Sequence, residues 1–349
     1  MIKIESDFLR SCFGLPTSST PVWLMRQAGR ILPQYRRLRS KHKSIQTLFT
    51  NPELASKITV MPIEDLGVDA AILYTDLVTP LGPLGCRFSY APGPVFENPI
   101  RTESQIKNLK EFETEDELSY VTETVDMVCD FLPKHIPLIG YAGSPFTLAA
   151  WLVEGKSSKD FTAVRTLFNA SPKAAHLLMK KLTFLVIDFL NAQINHGVKA
   201  VQIFDTSLGV ISASTFVEFV LPYLKDIFNE LSNQGVPRIY FPLGASHCKH
   251  LYQEIQLEVL SLDWRTSIND GYKALGSNGK SVQGNLDPTI LYTDPQTITH
   301  AVEIILDQVG NRPHIFNLGH GLQPDMPYEN VQHLIKEVKR ISQRSRIIG

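Results

Sequence analysis

The stretch AVQIFDT (200–206) is short and mostly apolar, and it ends in a carboxylate followed by a hydroxyl. A run of this kind is typical of a buried strand. Seven further short runs recur along the chain: VWLMR (22–26), AAILYTD (70–76), PLIGYAG (137–143), RIYFPLG (238–244), EVLSLDW (258–264), SVQGNL (281–286) and HIFNLGH (314–320). Segments with helical spacing of apolar residues lie between them, such as residues 177–197, which end at a glycine. Strand and helix therefore alternate along the chain.

Strands that are apolar throughout and separated by helices indicate a parallel sheet that is covered on both faces. Eight such units predict an α/β fold, a closed (β/α)8 TIM barrel that spans residues 1–349 as a single domain. An open doubly wound sheet is the alternative. No G-x-G-x-x-G motif follows the first run, which argues against a dinucleotide-binding domain of that second type.

Polar residues are expected to mark the active site, because in such barrels it lies at the carboxyl ends of the strands. The residues found at these ends are Arg26, Asp76, Gly143 with Ser144, Asp205 with Thr206, Asp263, Asn285 and His320. One such residue often only caps the following helix. So many together predict a polar cavity.

Residues 26–43 carry seven Lys and Arg side chains and no acidic residue. A solvated helix face is the ordinary explanation of such a run. Arg26, however, directly follows an apolar run, and Ala28 and Gly29 allow the backbone to bend around whatever Arg26 and Arg30 bind. Guanidinium groups form paired hydrogen bonds with carboxylates and phosphates. Because the chain has no phosphate-binding glycine loop, a small ligand with several carboxylates fits at least as well.

Asp76 would repel an anionic ligand unless part of that ligand donates hydrogen bonds or becomes cationic. Pyrrole rings meet this requirement, since an ionised Asp can accept hydrogen bonds from their N–H groups and stabilise a protonated ring. The structural alternatives are that Asp76 caps the next helix or pairs with Arg26 or Arg30. Spacing alone does not decide between these interpretations.

The charge balance and the cysteines limit the classes of partner. The 34 Lys and Arg residues against 35 Asp and Glu residues give a net charge of −1, which does not favour nucleic acid as a partner. The four cysteines form no C-x-x-C pair, so neither a disulfide framework nor a zinc site is predicted. No run reaches the length of a membrane span, and the acidic N-terminal residues differ from those of a signal peptide. We therefore expect a cytoplasmic protein without a membrane partner.

Two longer motifs in the chain resemble the signatures of the uroporphyrinogen decarboxylase family. They are PVWLMRQAGRILP (21–33) and GYAGSPFTLAAWLVEG (140–155). Shorter similar stretches stand in the order of the family: YTDLVTP around Asp76, IFDTSLG around Asp205, LDW (262–264), VQGNLDP (282–288) and FNLGHGLQPDM (316–326). The resemblance covers essentially the whole chain.

The resemblance implies a homodimer with a single barrel per chain, which removes CO2 from the four acetates of uroporphyrinogen III to give coproporphyrinogen III. It implies no cofactor and no metal, because a protonated pyrrole can itself accept the electrons that CO2 leaves behind. Asp76 and Arg26 would be catalytic: Asp76 would hold the pyrrole N–H groups, and Arg26 would donate a proton through its bound acid or water. The further residues that the resemblance assigns to substrate binding, in addition to these two, are Gln27, Ala28, Gly29, Arg30, Arg39, Tyr141, Trp151, Thr206 and His320.

Three residues depart from the usual pattern of the family. Trp151 stands where the second signature carries a tyrosine, and an indole donates one hydrogen bond but accepts none. Thr206 replaces a serine, and Gln34 replaces a common glutamate. We expect Trp151 to slow turnover or to change the order of decarboxylation, since the set of Asp76 and the arginines is complete.

Two other functions are weighed against this one. A corrinoid-dependent methyltransferase shares the predicted barrel and binds zinc through His and Cys, but His247 and Cys248 are adjacent and no later cysteine follows. A non-catalytic tetrapyrrole-binding protein would keep the pocket and lose the chemistry, with Trp151 as the sign of that loss. The presence of Arg26 and Asp76 argues against it.

Overall fold

The computed structural model describes residues 4–91, 93–231, 235–277 and 279–348. Within these ranges the chain forms a seven-stranded parallel sheet, flanking helices and a separate two-stranded antiparallel hairpin. The predicted α/β class and the predicted parallel sheet are confirmed. No helix in this described part of the chain is long and apolar enough to cross a membrane.

The strands are β1 Ala71–Ile72, β2 Phe88–Tyr90, β3 Pro94–Phe96, β4 Leu138–Gly143, β5 Ala200–Asp205, β6 Arg238–Pro242, β7 Val259–Ser261, β8 Ser281–Leu286 and β9 His314–Leu318. The large sheet has the order β1-β4-β5-β6-β7-β8-β9, and all its pairs are parallel. Strands β2 and β3 form the hairpin. Because sheet order follows chain order, the helical connections carry the chain steadily in one direction around the sheet.

The helices of the described residues are α1 Asp7–Cys12, α2 Pro33–Arg39, α3 Gln46–Thr50, α4 Pro52–Leu66, α5 Glu103–Lys107, α6 Thr114–Glu117, α7 Ser119–Phe131, α8 Pro145–Glu154, α9 Thr162–Ala170, α10 Pro172–Asn195, α11 Ala213–Phe219, α12 Leu221–Glu230, α13 Ile268–Leu275, α14 Pro295–Val309 and α15 Tyr328–Ile348. Short 3-10 helices occupy Thr79–Leu81, Leu208–Val210, Ser246–Glu254 and Pro288–Tyr292.

The first predicted run, residues 22–26, touches both edges of the sheet without forming a regular strand. Val22 forms an isolated parallel bridge with Phe316 of β9. The carbonyl of Val22 accepts a hydrogen bond from the N–H of Asp69 (2.8 Å), two residues before β1, and the Asp69 carboxylate accepts the N–H of Val22 (2.8 Å). Residues 21–23 therefore lie between the first and last strands of the sheet.

Side chains take the place of a strand partner in the rest of this run. The N–H of Leu24 donates to the amide oxygen of Gln27 (2.9 Å), and the N–H of Met25 donates to the amide oxygen of Asn317 (3.1 Å). The expectation of a regular strand over residues 22–26 is therefore wrong, because these backbone groups are bonded to buried polar side chains instead of a ladder.

The large sheet is strongly curled, as a buried polar layer shows. The Gln283 amide donates to Gln202 (3.0 Å) and to Ser261 (2.9 Å), and its oxygen accepts the indole N–H of Trp23 (2.9 Å). Gln202 lies on β5 and Gln283 on β8, with two strands between them. Strands three places apart in a flat sheet would be separated by roughly 14 Å. The inner faces of β5 and β8 must therefore turn toward each other.

Candidate active site

Asp76 lies just beyond the carboxyl end of β1, at the start of a tight turn. Its Oδ1 accepts the N–H of Val78 (3.0 Å), and its own N–H donates to the hydroxyl of Thr79 (3.3 Å). Strand β1 ends early because the N–H of Tyr74 donates to the hydroxyl of Thr59 on α4 (3.0 Å) and not to a neighbouring strand. The side chain of Asp76 is half-buried, and no protein hydrogen bond to its Oδ2 is found in the described ranges. This oxygen is free to accept hydrogen bonds from a ligand.

Arg26 has a left-handed backbone conformation, with φ of 62°. Such a conformation costs a residue with a side chain about 1–2 kcal/mol relative to the right-handed one. The loop after β9 holds this residue in place: the N–H of Leu322 donates to the carbonyl of Met25 (2.9 Å), and Gly321 lies against the stem of Arg26. A Cβ atom on Gly321 would be 2.5 Å from Cγ and 2.9 Å from Nε of Arg26. Only glycine leaves room for this arginine.

Asp76 and Arg26 are opposite charges that are close enough to influence each other. Burial raises the pKa of Asp76, against the opposing effects of the Val78 N–H and the Arg26 charge. Desolvation lowers the pKa of Arg26, and Asp76 and Tyr141 oppose that shift. The side chain of Arg26 nevertheless keeps accessible surface, and the two groups form no direct ion pair among the described residues. Both charged side chains therefore keep accessible surface, and neither has an ion-pair partner among the described residues.

His320 follows β9 and lies near the same charges. Its Nδ1 accepts the N–H of Gly321 (2.6 Å), so in the neutral ring the proton is on Nε2. Burial, together with the positive charges of Arg26 and Arg265, lowers the pKa of His320 to about 4, although Asp263 opposes this. The ring is neutral at pH 7 and offers one N–H donor to a ligand.

Tyr141 on β4 is buried, and its hydroxyl donates to the carbonyl of Thr75 (2.6 Å), the residue before Asp76. Its ring packs edge-on against Phe204 of β5, with 5.4 Å between the ring centroids. Burial and the charge of Asp76 raise the pKa of Tyr141. Tyr141 therefore supports the turn that carries Asp76.

Tyr90, on strand β2 of the hairpin, is a residue that the sequence analysis did not identify. Burial raises its pKa, and the nearby charges of Asp76 and Tyr141 raise it further, so Tyr90 lies close to Asp76. Its ring contacts Phe49, 5.9 Å between centroids. A three-residue strand has no periodic signal, so the only sequence clue was the Pro-Gly-Pro turn that follows it.

The basic segment, residues 26–43, contains both exposed and buried residues. Arg30 is exposed, and Ala28 and Gly29 are half-buried. Gln27 is fully buried. Its amide nitrogen donates to the carbonyl of Ala70 (2.9 Å), and its amide oxygen accepts the N–H of Leu24. The side chain of Gln27 therefore joins this segment to the beginning of β1, and only its backbone is left for a ligand.

Arg39, the last residue of α2, lies near a pair of buried tyrosines. Its guanidinium donates to the carbonyl of His42, and its charge opposes the rise in pKa that burial causes in Tyr74. The hydroxyls of Tyr35 and Tyr74 are 2.8 Å apart. On the outer side of α2, the Gln34 amide donates to Asp65 (2.7 Å), where a glutamate would place two carboxylates together.

A groove of about 340 Å³ lies beyond the carboxyl ends of β5 and β6. Thr206 and Phe161 line it, and Lys159 and Arg265 bring two positive charges to it. Trp151 of α8 is half-buried and packs edge-on against Phe161, 6.4 Å between centroids. Trp151 therefore supports the groove wall through Phe161. Sequence analysis placed Thr206 at this end of the sheet but assigned no role to Lys159 or Arg265, because single charges in loops resemble ordinary surface residues.

Asp205 is buried and belongs to the core. Its carboxylate accepts hydrogen bonds from the hydroxyls of Thr147 (2.8 Å) and Tyr240 (2.9 Å). Burial raises the pKa of Asp205 to about 6, and hydrogen bonds from Ser144, Thr147 and Tyr240 oppose this rise. This strand end therefore stabilises the connection between β5, β6 and α8 and does not face the cleft.

The candidate zinc ligands of the methyltransferase alternative are engaged elsewhere. The His247 Nε2 is paired with the carbonyl of Ile211 (2.8 Å). Cys248 is fully buried, and burial raises the pKa of its thiol to about 11. Over the described ranges, no three His, Cys, Asp or Glu side chains are grouped so that they could hold a metal ion.

The fold is shared with solved structures of low sequence identity. A methyltransferase from Methanosarcina mazei superposes with a TM-score of 0.82 at 18% identity, over 98% of this chain and 99% of that one. A B12-independent methionine synthase from Shewanella sp. W3-18-1 superposes with a TM-score of 0.56 at 9% identity, over 87% and 91% of the two chains. These likenesses concern the fold alone. They place the chain in a class of α/β proteins that are built on a curled parallel sheet.

Sequence relatives give the family within that class. Residues 4–341 match the family model described as uroporphyrinogen decarboxylase (URO-D). The uroporphyrinogen decarboxylases of Geotalea daltonii and Geobacter metallireducens are 45% and 44% identical to this chain, each over 98% of this chain and 100% of its own length. The chain belongs to the uroporphyrinogen decarboxylase family. The predicted family and the predicted enzyme class, a decarboxylase, are confirmed.

Proposed function

We propose that the protein removes CO2 from the four acetate side chains of uroporphyrinogen III to give coproporphyrinogen III, without a cofactor. The observation that carries this proposal is the Asp76–Arg26 pair, two opposite charges that influence each other, keep accessible surface and form no ion pair with each other. A ligand with carboxylates on its rim and N–H donors at its centre would satisfy both charges at once.

The chemistry needs a place for the electrons of the broken C–C bond. When a proton adds to the ring carbon next to the one that bears the acetate, the ring becomes cationic, and the acetate-bearing carbon can accept that electron pair. CO2 then leaves, and an exocyclic double bond forms. A second proton adds to the exocyclic carbon to make a methyl group, and the ring returns its first proton. The net change is the replacement of one carboxylate by one hydrogen.

Asp76 stabilises the cationic ring. Its Oδ1 is fixed by the N–H of Val78, and its Oδ2 is available to the pyrrole N–H groups. Because burial raises the pKa of this carboxyl, the ionised form gains most from hydrogen-bond donors and from nearby positive charge. Both appear when the substrate binds and its ring is protonated, so the stabilisation is larger for the intermediate than for the substrate.

The positive residues bind the carboxylates on the rim of the substrate. Arg26 binds the acetate that reacts, and donates a proton through its bound acid or water. Arg30 and Arg39 bind further carboxylates from the side of the basic segment. The backbone of residues 27–29 follows the same wall. The Nε2–H group of His320 donates a hydrogen bond to a propionate or acetate at the cleft mouth.

Tyr141, Trp151 and Thr206 shape the cleft. Tyr141 holds the Asp76 turn through Thr75. The hydroxyl of Thr206 is available in the groove, and Trp151 acts on the same groove through Phe161. These contacts support a role of the three residues in positioning the substrate and no direct role in proton transfer.

We further propose that residues 1–349 form one domain with a closed (β/α)8 barrel, in which residues 21–25 take the place of the first strand without forming a regular one. The hydrogen bonds from this segment to Phe316 and to Asp69 support the closure. Family resemblance supports a homodimer. The four free cysteines, each without a disulfide, support the cytoplasm as the compartment.

The test is anaerobic incubation of metal-stripped protein with uroporphyrinogen III, followed by oxidation and separation of the porphyrins by carboxylate number. We expect a four-carboxylate product, and a loss of kcat of about 100-fold or more in Asp76→Asn, which keeps the shape of the side chain but not its charge. The exposed Asp116→Asn serves as the matched control and leaves kcat unchanged. Tight binding without any product would instead support a non-catalytic tetrapyrrole-binding protein.

A further inference from the structure

The groove beyond β5 and β6 lies away from the Asp76–Arg26 pair. Asp76 follows β1, at one edge of the sheet order, whereas the groove is lined by residues that follow β5, β6 and β7. No Asp or Glu is among the described residues that line it. A cavity with two cations, a threonine hydroxyl and no acidic group suits an anionic ligand.

Arg265 is held rigidly at the edge of this groove. Its N–H and its Nη1 both donate to Asp263, at 2.8 and 3.2 Å. Asp263 is itself fixed, because its Oδ2 accepts the N–H of Gly244 (2.6 Å). The guanidinium also stacks on the ring of Trp264, 4.2 Å from the centroid.

The guanidinium of Arg265 is only partly used by the protein. Asp263 takes one of its five N–H groups, and about half of the Arg265 side chain, 49%, is exposed. An arginine whose orientation is fixed in advance loses little freedom when it binds a carboxylate. The remaining N–H groups are therefore a prepared donor set.

Lys159 comes to the groove from a different part of the chain, the loop between α8 and α9. It forms no ion pair among the described residues, and it is exposed. The positive charge of Arg265 also reaches His320, whose pKa it lowers together with Arg26. Because the groove residues and His320 all follow strands of one parallel sheet, the groove lies at the same end of the sheet as His320.

We propose that this groove is a second carboxylate-binding subsite, in which Arg265 and Lys159 bind an acetate or propionate arm of the substrate on the side remote from Asp76. The inference rests on the proposed function. Uroporphyrinogen carries an acetate and a propionate on every ring, so its negative charges surround the macrocycle. The arginines of residues 26–39 can bind only the carboxylate arms on their own side of the macrocycle. Binding of the carboxylate arms on the far side requires other cations.

The subsite gives Arg265 a part in specificity. Each decarboxylation leaves a methyl group where an acetate stood, and the macrocycle must turn to present the next acetate to Arg26. A far-side cation favours orientations in which a carboxylate, and not a new methyl group, occupies the groove. Loss of Arg265 therefore weakens binding and changes which partly decarboxylated intermediates accumulate.

The experiment compares Arg265→Gln, Arg265→Lys and Lys159→Gln with wild type. Arg312→Gln is the matched control, since Arg312 also stacks on an aromatic ring, Tyr272, at 4.0 Å, but lies before β9, at the opposite end of that strand from His320. The readouts are KM and kcat with uroporphyrinogen III, the porphyrins separated by carboxylate number, and anaerobic binding followed by tryptophan fluorescence.

We expect Arg265→Gln to raise KM and the dissociation constant roughly tenfold with kcat within about twofold, and to increase the five- to seven-carboxylate intermediates. Arg265→Lys restores part of the affinity, and Arg312→Gln matches wild type. If wild type is active and Arg265→Gln has the same KM, dissociation constant and intermediates as Arg312→Gln, the proposed subsite is wrong while the proposed function stands. If wild type binds without turnover, the proposed function fails, and weaker binding by Arg265→Gln still supports the subsite. If wild type does not bind, both fail.

Discussion

Gly321 lies directly against the side-chain stem of Arg26, with no room for a Cβ atom between them. The same glycine donates its N–H to Nδ1 of His320. One residue without a side chain thus sets the position of the arginine and the tautomer of the histidine. The loop after β9 therefore positions two groups of the candidate site.

Gly321→Ala is expected to displace Arg26 and to lower kcat/KM by about 10- to 100-fold, because small misplacements of a reacting group are costly. The thermal unfolding temperature should change little, since Arg26 retains accessible surface into which it can move. Gly93→Ala is the matched control, as a Cβ there would meet no atom within 4 Å. Full activity in Gly321→Ala would show that the contact does not position Arg26.

Arg26→Gly is expected to be more stable than Arg26→Ala by about 1 kcal/mol, because glycine adopts the left-handed conformation without strain while alanine retains the strain. Both variants should lose activity. Urea unfolding of the two variants measures the difference. Equal stabilities would mean that the backbone at residue 26 relaxes once the guanidinium is gone.

Trp151→Tyr is expected to speed turnover or to change the accumulated intermediates, because a smaller ring with a hydroxyl alters the support of Phe161 and the groove. Trp151→Phe separates the effect of size from that of the hydroxyl. Porphyrin chromatography at several reaction times is the measurement. An unchanged rate and an unchanged product distribution in Trp151→Tyr would contradict the expectation.

Asp205 is expected to make stability depend on pH. Its pKa is about 6 in the folded protein against an ordinary value of 3.8, so the folded state binds a proton more tightly than the unfolded state. The stabilisation is fully present below about pH 4 and is lost as pH rises through 6, by about 3 kcal/mol in total. The free energy of unfolding of wild type minus that of Asp205→Asn should therefore fall between pH 4 and 7. A constant difference would refute this.

The buried pair of Arg238 and Glu258 should matter more for stability than an exposed pair. Two N–O contacts of 2.7 and 2.9 Å join them, and only 8% of the arginine side chain is exposed. Arg238→Met is expected to cost about 3–5 kcal/mol because it leaves Glu258 without its partner, and the double variant with Glu258→Leu should recover much of this. Lys107→Met, which breaks an exposed pair with Glu103, is the control. A loss in Arg238→Met no larger than in the control would contradict the expectation.

The sequence predicted the parts of the site that stand at strand ends. The positions of Asp76 and His320 follow from the alternation of apolar runs and helices, because parallel strands bring their carboxyl ends together. The early end of β1 could not be predicted from the sequence. It depends on the hydroxyl of Thr59 on α4, which only the tertiary structure brings close to Tyr74.

Other features could not be read from the sequence because their cause lies in distant contacts. Residues 22–26 have the composition of a strand, yet their hydrogen bonds go to side chains such as Asn317, almost at the other end of the chain. Asp205 has the same sequence signal as Asp76, an acid at a strand end, but three hydroxyl-bearing neighbours enclose it in the core. Arg265 carries no sequence signal of ligand binding, because that role depends on the groove beside it.

The contacts between residues 21–25 and β9 have a consequence for synthesis on the ribosome. Met25 and Asn317 are separated by 292 positions, so the segment that carries Arg26 is made early and receives its partners almost last. At ordinary rates of translation this interval is about 15 to 60 s. During that time Arg26 has no loop to hold it. A nascent chain that has not yet reached β9 therefore lacks part of the candidate active site, and its last exposed strand edge is where chaperones would be needed.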